Sequence, residues 1–513
     1  MELKTTELTT AGAFQAPIQV NAGRWISGKP VFKCNWRASR RVAHRRSVTF
    51  SPACVDTQQP TQVSEDKVFD ASSTALQEGI KAVAVGKHGS KPVPAAILPD
   101  IDAELALCNE NACEELLWQR ASFLGALFVK AELSADEMSL LVRRCGNSAK
   151  VAGRKRMLDD LRISAGEVLA SITDAEGELE TFAMRVLCDE ELDERETATL
   201  GALLFSKNGD WAVKALIAHV MRVRHESASE LAGLSVAAWR SVKDAFVKRE
   251  RTRHTYALMA EPYDGTRTWD MLTPLVAKHL HDKYGIRVVL GVGESSGPKY
   301  GPNLREVARE MGIAFVRDGD ELERAFEEGA DMVAVDQGDA SEGLHRWVRM
   351  RRAIVKRPGI ASAEKFADVI PGGSEVFIGS AFHESYMEKM AAAAEAIGYS
   401  GYVIVGRGVE GTIGVGVGAR KKALLLCGWK GRNGGYGREQ VVYRAEEDGV
   451  QSDDKAVKGA VTAGGNASKL RAFMRVGGSG DDLFDRRARA TVSAVEKALR
   501  VLQRHGCGAV ARL

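Results

Sequence analysis

Beyond Arg251 the hydrophobic period of the chain changes, and no other feature constrains the fold as strongly. Short β-branched runs, IRVVLGV, DMVAVD, SEVFIGSAF and YVIVGRG, alternate there with amphipathic stretches such as NLREVAREMGI and HESYMEKMAAAAEAIG. An unbroken apolar run suits a strand covered on both faces, and the intervening helices supply the crossovers that parallel strands need. An α/β domain with a mostly parallel sheet is therefore predicted over 251–513. Residues 412–445 depart from the pattern: a Gly-rich run leads to ALLLCGW, the turn KGRNGGYG and QVVYRA, which reads as a hairpin insertion. The stretch DDLFDRRARATVSAVEKALRVLQRH reads as a final helix.

Residues 101–250 carry a different period. In EELLWQRASFLGALFV, RETATLGALLF and WAVKALIAHVMRVR apolar residues recur every three or four positions, with Ser, Asp or Asn near the starts. A smaller all-α domain is predicted. Residues 56–100 are polar, and KHGSKPVPAAILPD holds three prolines, so this stretch is expected to be a disordered linker. Residues 1–55 are poor in acids, rich in Ser and Thr, and strongly basic at RASRRVAHRRSVTF. They read as a transit peptide, to a chloroplast first and a mitochondrion second, with an attached basic tail as the alternative.

The net charge of +3 conceals this asymmetry. Residues 1–60 hold nine Lys and Arg against Glu2, Glu7 and Asp56, so they carry +6 and the remainder −3. Only local basic patches could therefore attract a polyanion. Apolar residues at 45% and charged residues at 27% are those of a soluble globular chain, and no run is long enough to span a membrane. The eight cysteines form no CxxC pair and no cluster with histidine at zinc spacing.

Several stretches invite chemistry. GVGESSG at 291–297 follows a strand, but its spacing is GxGxxxG, and Pro298 and Pro302 delay the next helix. His279 and His281 stand two apart on a helix and so face different ways. HRWVRMRRAIVKRP crowds Arg346, Arg349, Arg351, Arg352, Lys356 and Arg357 together with no acid among them. It reads either as a clamp for phosphate or carboxylate or as solvated helix charges. GARKKA and WKGRNGGYGR add Arg420, Lys421, Lys422, Lys430, Arg432 and Arg438 beside Trp429 and Tyr436. Cations, glycines and aromatics of this kind suit a backbone-tracking, base-stacking surface, although taken alone the stretch reads first as an ordinary exposed hairpin.

A helical unit followed by an α/β domain, with MAEPYDGTRTWDMLTPL in the first βα connection, resembles the anthranilate phosphoribosyltransferase family, glycosyltransferase family 3. The resemblance spans roughly 185–411. It rests on LDERETATLGALLF, VMRVRHESASELAGL, IRVVLGV, and AFHESYMEKMAAAAEAIG before YVIVGRG, where His383 keeps the family's place and Glu384 replaces its proline. It implies a fold shared in outline with nucleoside phosphorylases, a homodimer, and a site for phosphoribosyl pyrophosphate (PRPP), Mg²⁺ and anthranilate in a cleft between the two parts.

Carried onto this chain, the resemblance puts the pyrophosphate loop at Ala260–Gly265, where Glu261 is expected to repel a pyrophosphate, Pro262 removes an amide donor and bulky residues replace glycines. It leaves Asp264, Gly265, Thr266 and Arg267 as candidate ligand contacts. A second loop falls at Glu294, Ser295 and Lys299, the family's paired magnesium carboxylates at Glu410 with Gly411 beside it, and two arginines at Arg351 and Arg357. YDGTRTWDMLTPLV and GVEG are similar to a divergent TrpD2-like branch, which implies DNA or RNA binding through a basic groove. Two readings follow. In one, the arginine run grips nucleic acid or another phosphorylated ligand. In the other, the chain transfers phosphoribosyl to anthranilate, as in tryptophan biosynthesis, with Glu410 on Mg²⁺ and Arg351 on the acceptor. Spacing alone assigns no catalytic residue.

Overall fold

A computed structural model describes residues 74–108, 112–146, 163–247, 254–370, 373–419, 421–450, 461–507 and 510, all within the unit Ala71–Leu513. The expected transit peptide lies outside them, as does the expected boundary near 250.

The helices of the first part start where short polar side chains can satisfy exposed amides. Ser134, Ser164, Asp193 and Ser227 each accept from the backbone three residues on, and Glu137, Glu167, Glu196 and Glu230 reach back to complete capping boxes. Each such cap is worth about 1 kcal/mol. Two helices, Glu114–Val129 and Trp211–Arg224, pack against each other and are buried along most of their length.

The stretch expected to be a linker is partly helical. Thr74 caps a helix Ala75–Val83 whose Leu76, Gly79, Ile80 and Val83 are buried at helical spacing. A Cβ on Gly79 would stand 2.8 Å from both Ile101 and Phe123, so the helix lies hard against its neighbours. The prolines that pointed to a linker are absorbed as well. Val93, between two of them, is buried and donates its amide to Glu137 at 3.0 Å, and Pro99 occupies the first turn of helix Leu98–Ala106.

The second part is built on eight strands: β1 (Tyr256–Ala260), β2 (Arg287–Val292), β3 (Ala314–Phe315), β4 (Met332–Asp336), β5 (Val376–Ala381), β6 (Gly401–Gly406), β7 (Ala423–Lys430) and β8 (Tyr436–Tyr443). Their order is β3-β4-β2-β1-β5-β6-β7-β8. The first six are parallel, and the β7–β8 hairpin continues the sheet antiparallel to β6. The fold is thus α/β with a mostly parallel sheet, beside a helical N-terminal part.

Alternate residues of each strand enter different cores. Leu258, Val289, Val333, Phe377 and Ile404 join a hydrophobic core continuous with the helical part. Ala257, Met259, Val288, Leu290, Ile378 and Val403 face the core beneath the Asp482–Arg504 helix. The helical and sheet-bearing parts therefore share apolar packing, which fixes the walls of anything built between them.

Candidate functional site

In an open α/β sheet, ligands bind beyond the carboxyl ends of the strands where the strand order reverses. Here the chain passes from β1 to β2 on one side, while β5 pairs with β1 on the other, so the crevice lies above β1 and β5. A cavity of about 170 Å³ occupies it. Pro262 follows β1, Phe382 and His383 follow β5, and Glu410 and Gly411 follow β6. Arg357, Ser362, Lys365, Ser380, Tyr386 and, from the helical part, Arg222 complete the chemically active wall.

Three cations line this space, each held differently: Arg357 beside a carboxylate, Lys365 on a carbonyl and Arg222 on a tyrosine hydroxyl. Arg357 lies 3.1 Å from Asp264, which is fully buried, although the pair is not aligned for a hydrogen bond. Lys365 is 6% exposed and donates to the Ser380 carbonyl at 3.2 Å. Burial pushes its pKa down to about 8, against the pull of Glu261 and with the repulsion of Arg357. Arg222 donates to the Tyr386 hydroxyl at 2.7 Å, and that hydroxyl donates to buried Glu226 at 2.6 Å. The lining carboxylate, Glu410, is paired with Lys299 at 2.6 Å. Burial opposes its ionisation, yet Lys299, Arg357 and His383 together hold it below the usual glutamate range.

The loop after β1 is tied into the fold by its own side chains and by some of its amides. Glu261, expected to repel a pyrophosphate, points elsewhere: it is buried and accepts from Thr273 at 2.5 Å and from the Ile413 amide at 2.8 Å. Burial pushes its pKa up. It ties the β1 loop to the turn after β6. The amides of Gly265 and Thr266 donate to the carbonyls of Pro262 and Pro302 at 3.2 and 3.0 Å and so are already used. Gly265 has a φ of +65°, and a Cβ there would meet the Gly301 carbonyl oxygen at 2.3 Å. Thr266 caps its own turn by accepting from Thr268 and Trp269, and Arg267 is exposed outside the cavity lining.

Of the remaining expected contacts, Lys299 reaches the site through Glu410, but Glu294 and Ser295 do not line it. They hold Arg352, whose Nη2 donates to the Glu294 carboxylate at 2.5 Å and to the Ser295 carbonyl at 2.9 Å. Arg351, expected on an acceptor carboxylate, is 1% exposed and donates to Glu364 at 2.7 Å. The fold spends that side chain on an internal ion pair.

The arginine run is likewise supplied with acids from elsewhere in the chain. Arg349 reaches Glu115 at 2.6 Å and Glu114 at 2.9 Å and lies over the Trp118 ring, and Arg346 stands 3.5 Å from Glu342. Lys356 is half-buried, and burial together with nearby Arg222 lowers its pKa. Lys421, Lys422, Lys430 and Arg432 are exposed on or beside the β7–β8 hairpin, while Arg420 lies outside the described residues. The hairpin's aromatics are engaged: Trp429 stacks on His505 with ring centroids 3.8 Å apart, and the Tyr436 hydroxyl donates to the Tyr399 carbonyl at 2.7 Å. Arg438 is held by Glu395 and Glu388.

Glu410 offers a divalent cation one carboxylate, and that carboxylate is shared with a lysine. Among the described residues no group of three or more His, Cys, Asp or Glu could hold a metal ion. Arg222, Lys365, Ser380 and Tyr386 were not evident from sequence. The signal for Lys365 was its setting, a lysine within SAEKFADVI whose Ala363, Phe366, Val369 and Ile370 are all core residues.

No protein-family model matches the sequence, and no curated protein matches it. Among solved structures, the chain is similar to anthranilate phosphoribosyltransferase from Thermus thermophilus, at 16% identity and a TM-score of 0.49, over 66% of this chain and 93% of that one. It is also similar to anthranilate phosphoribosyltransferase from Saccharomyces cerevisiae in complex with PRPP and Mg, at 12% identity and a TM-score of 0.48, over 66% and 99% of the two chains. The same yeast protein in complex with 4-fluoroanthranilate matches at 13% identity and a TM-score of 0.47, over the same shares.

Proposed function

We propose that the protein binds a small phosphorylated ligand in the cavity above β1 and β5. The observation that carries this reading is the lining: Arg222, Arg357 and Lys365 face one space, and its carboxylate, Glu410, is already paired with Lys299. Guanidinium groups bind phosphate oxygens through paired, charge-assisted hydrogen bonds, and partial burial strengthens them. The buried acids Asp264 and Glu226 hold the arginine side chains from behind or through Tyr386, so little side-chain entropy is left to lose on binding. The volume suits a phosphate-sized group with a short attachment rather than a nucleic-acid strand.

Phosphoribosyl transfer to an aromatic amine is the enzymatic form of this reading. The position of the cavity at the sheet's reversal favours it, and the Lys299–Glu410 pair opposes a magnesium-dependent version. The test uses the full chain. Inorganic phosphate, pyrophosphate and PRPP, each with and without Mg²⁺, are titrated calorimetrically, anthranilate turnover is assayed with PRPP, and DNA and RNA binding is followed across a salt series. Saturable phosphate or PRPP binding with little nucleic-acid retention is expected. Absence of binding by any of the small anions overturns the proposal, and salt-sensitive nucleic-acid binding without them restores the basic-groove reading.

A further inference from the structure

Phosphate recognition does not account for the state of Lys365. An ammonium ion has three donors to satisfy, yet among the described residues the Nζ of buried Lys365 makes one hydrogen bond, to the Ser380 carbonyl. Burial outweighs the pull of Glu261, Glu364 and Asp264 on its charged form, and Arg357, which lines the same cavity, repels that form. A lysine desolvated in a pocket beside another cation is the usual arrangement for an amine that acts as a nucleophile. With its pKa near 8, it carries roughly a few hundred times more neutral amine at pH 7 than an ordinary lysine does. Lys214 is lowered to about the same value by burial, but it donates to the Ser206 carbonyl at 2.6 Å and lies over the Trp211 ring, outside the cavity. Lys365 alone of the two combines a lowered pKa with a ligand-sized space.

We propose that Lys365 forms an imine with the carbonyl carbon of a small phosphorylated aldehyde or ketone whose phosphate is held by Arg222 and Arg357. This rests on the anion reading of the same cavity. The Nζ lone pair adds to the carbonyl carbon, the π electrons pass to oxygen, and the oxygen takes up a proton. The carbinolamine then loses that oxygen as water, and both hydrogens of the amine are accounted for in the water released. One amine and one carbonyl give one imine and one water, with nothing oxidised or reduced. His383 and Glu410 line the same space and can relay the proton from nitrogen to oxygen.

The experiment treats the full chain with D-glyceraldehyde 3-phosphate and cyanoborohydride, which reduces an imine to a stable secondary amine, and maps the adducts by peptide mass spectrometry. The expected result is an adduct on Lys365 about tenfold above that on exposed Lys421, Lys422 or Lys430. It should be suppressed by excess inorganic phosphate, be much reduced with unphosphorylated glyceraldehyde, and vanish in Lys365→Arg. Arg357→Ala keeps the amine and should slow labelling at Lys365, which serves if Lys365→Arg does not fold. Phosphate titration of the same preparation separates the two readings. Bound phosphate without preferential labelling at Lys365 overturns the imine and leaves the anion pocket standing. Labelling at Lys365 that phosphate does not suppress overturns the phosphate-anchored ligand proposed here.

Discussion

Two regions of this molecule are dense in cations, and they differ in where their counter-charges lie. At Arg346, Arg349 and Arg352 the acids meet the arginine tips at exposed or half-buried positions: Glu114 and Glu115 on Arg349, Glu342 beside Arg346, Glu294 on Arg352. In the cavity above β1 and β5, Asp264 and Glu226 are themselves buried and hold Arg357 directly and Arg222 through Tyr386, leaving those side chains on the wall. Counting cations does not separate the two regions. What decides whether a cation can meet a ligand is the side from which its acid approaches.

The largest effect is expected where the two regions contrast most, at Arg351. Replacing it by Met leaves Glu364 buried without its cation, and breaking a buried pair in this way costs about 3–5 kcal/mol. Urea denaturation should show that loss, and adding Glu364→Gln should return much of it. A loss below about 1 kcal/mol would return Arg351 to the ligand-binding group and blur the contrast.

The next test falls on the cavity. Arg357→Ala should weaken phosphate binding about thirtyfold, close to 2 kcal/mol, while Arg349→Ala leaves it unchanged. Arg357→Lys retains a charge opposite Asp264 but loses the planar fork, and about a tenfold loss is expected. Equal effects of Arg349→Ala and Arg357→Ala in calorimetry would remove the distinction between the regions.

His219 links them, because Lys356 from the run and Arg222 from the cavity both press on it. It is fully buried, no hydrogen-bond partner for either ring nitrogen lies among the described residues, and burial lowers its pKa to about 3. The unfolded chain takes up a proton near the usual histidine value while the folded chain does not. Stability from this group is therefore complete above about pH 6.5 and is lost as pH falls from there toward 3. His219→Leu should remove that loss and gain about 1–2 kcal/mol over the parent at pH 5 relative to pH 7. Parallel melting curves for parent and variant from pH 7 to 5 would refute it.

The sequence was legible where structure is local. IRVVLGV and YVIVGRG became β2 and β6 because period and branching act locally, and the capping boxes set helix starts for the same reason. The helix Ala75–Val83 was hidden by the prolines after it, although Leu76, Ile80 and Val83 already stood at helical spacing. The site was legible only in part. Arg357, Lys299 and Glu410 were singled out by resemblance and lie in or beside the cavity, whereas Arg349 finds its acids more than two hundred positions away and Lys365 is buried by tertiary packing. Neither fact has a local signature. Glu261 shows the limit most clearly, since its carboxylate would repel a phosphate only if it faced one, and the Thr273 hydroxyl and Ile413 amide turn it away.

The smallest effect is expected at the exposed end of the run. Arg349 is more than half exposed, as is Glu114, and such pairs contribute at most about 1 kcal/mol because water and salt screen them. Arg346 stands at a longer distance from Glu342, which is about half exposed. The double substitution Arg346→Ala with Arg349→Ala should therefore change stability by less than about 1 kcal/mol, with most of any loss coming from the Arg349 contact over Trp118. The same double variant bears on nucleic acid. If these guanidiniums contacted phosphates, each would add close to one unit to the slope of log affinity against log salt. Glu114 and Glu115 already neutralise Arg349, so releasing it to a phosphate costs the pair it leaves, and the slope should be the same in parent and double variant. A fall of about two units would show that the acids yield to a polyanion, and the run would then join the cavity as a ligand surface.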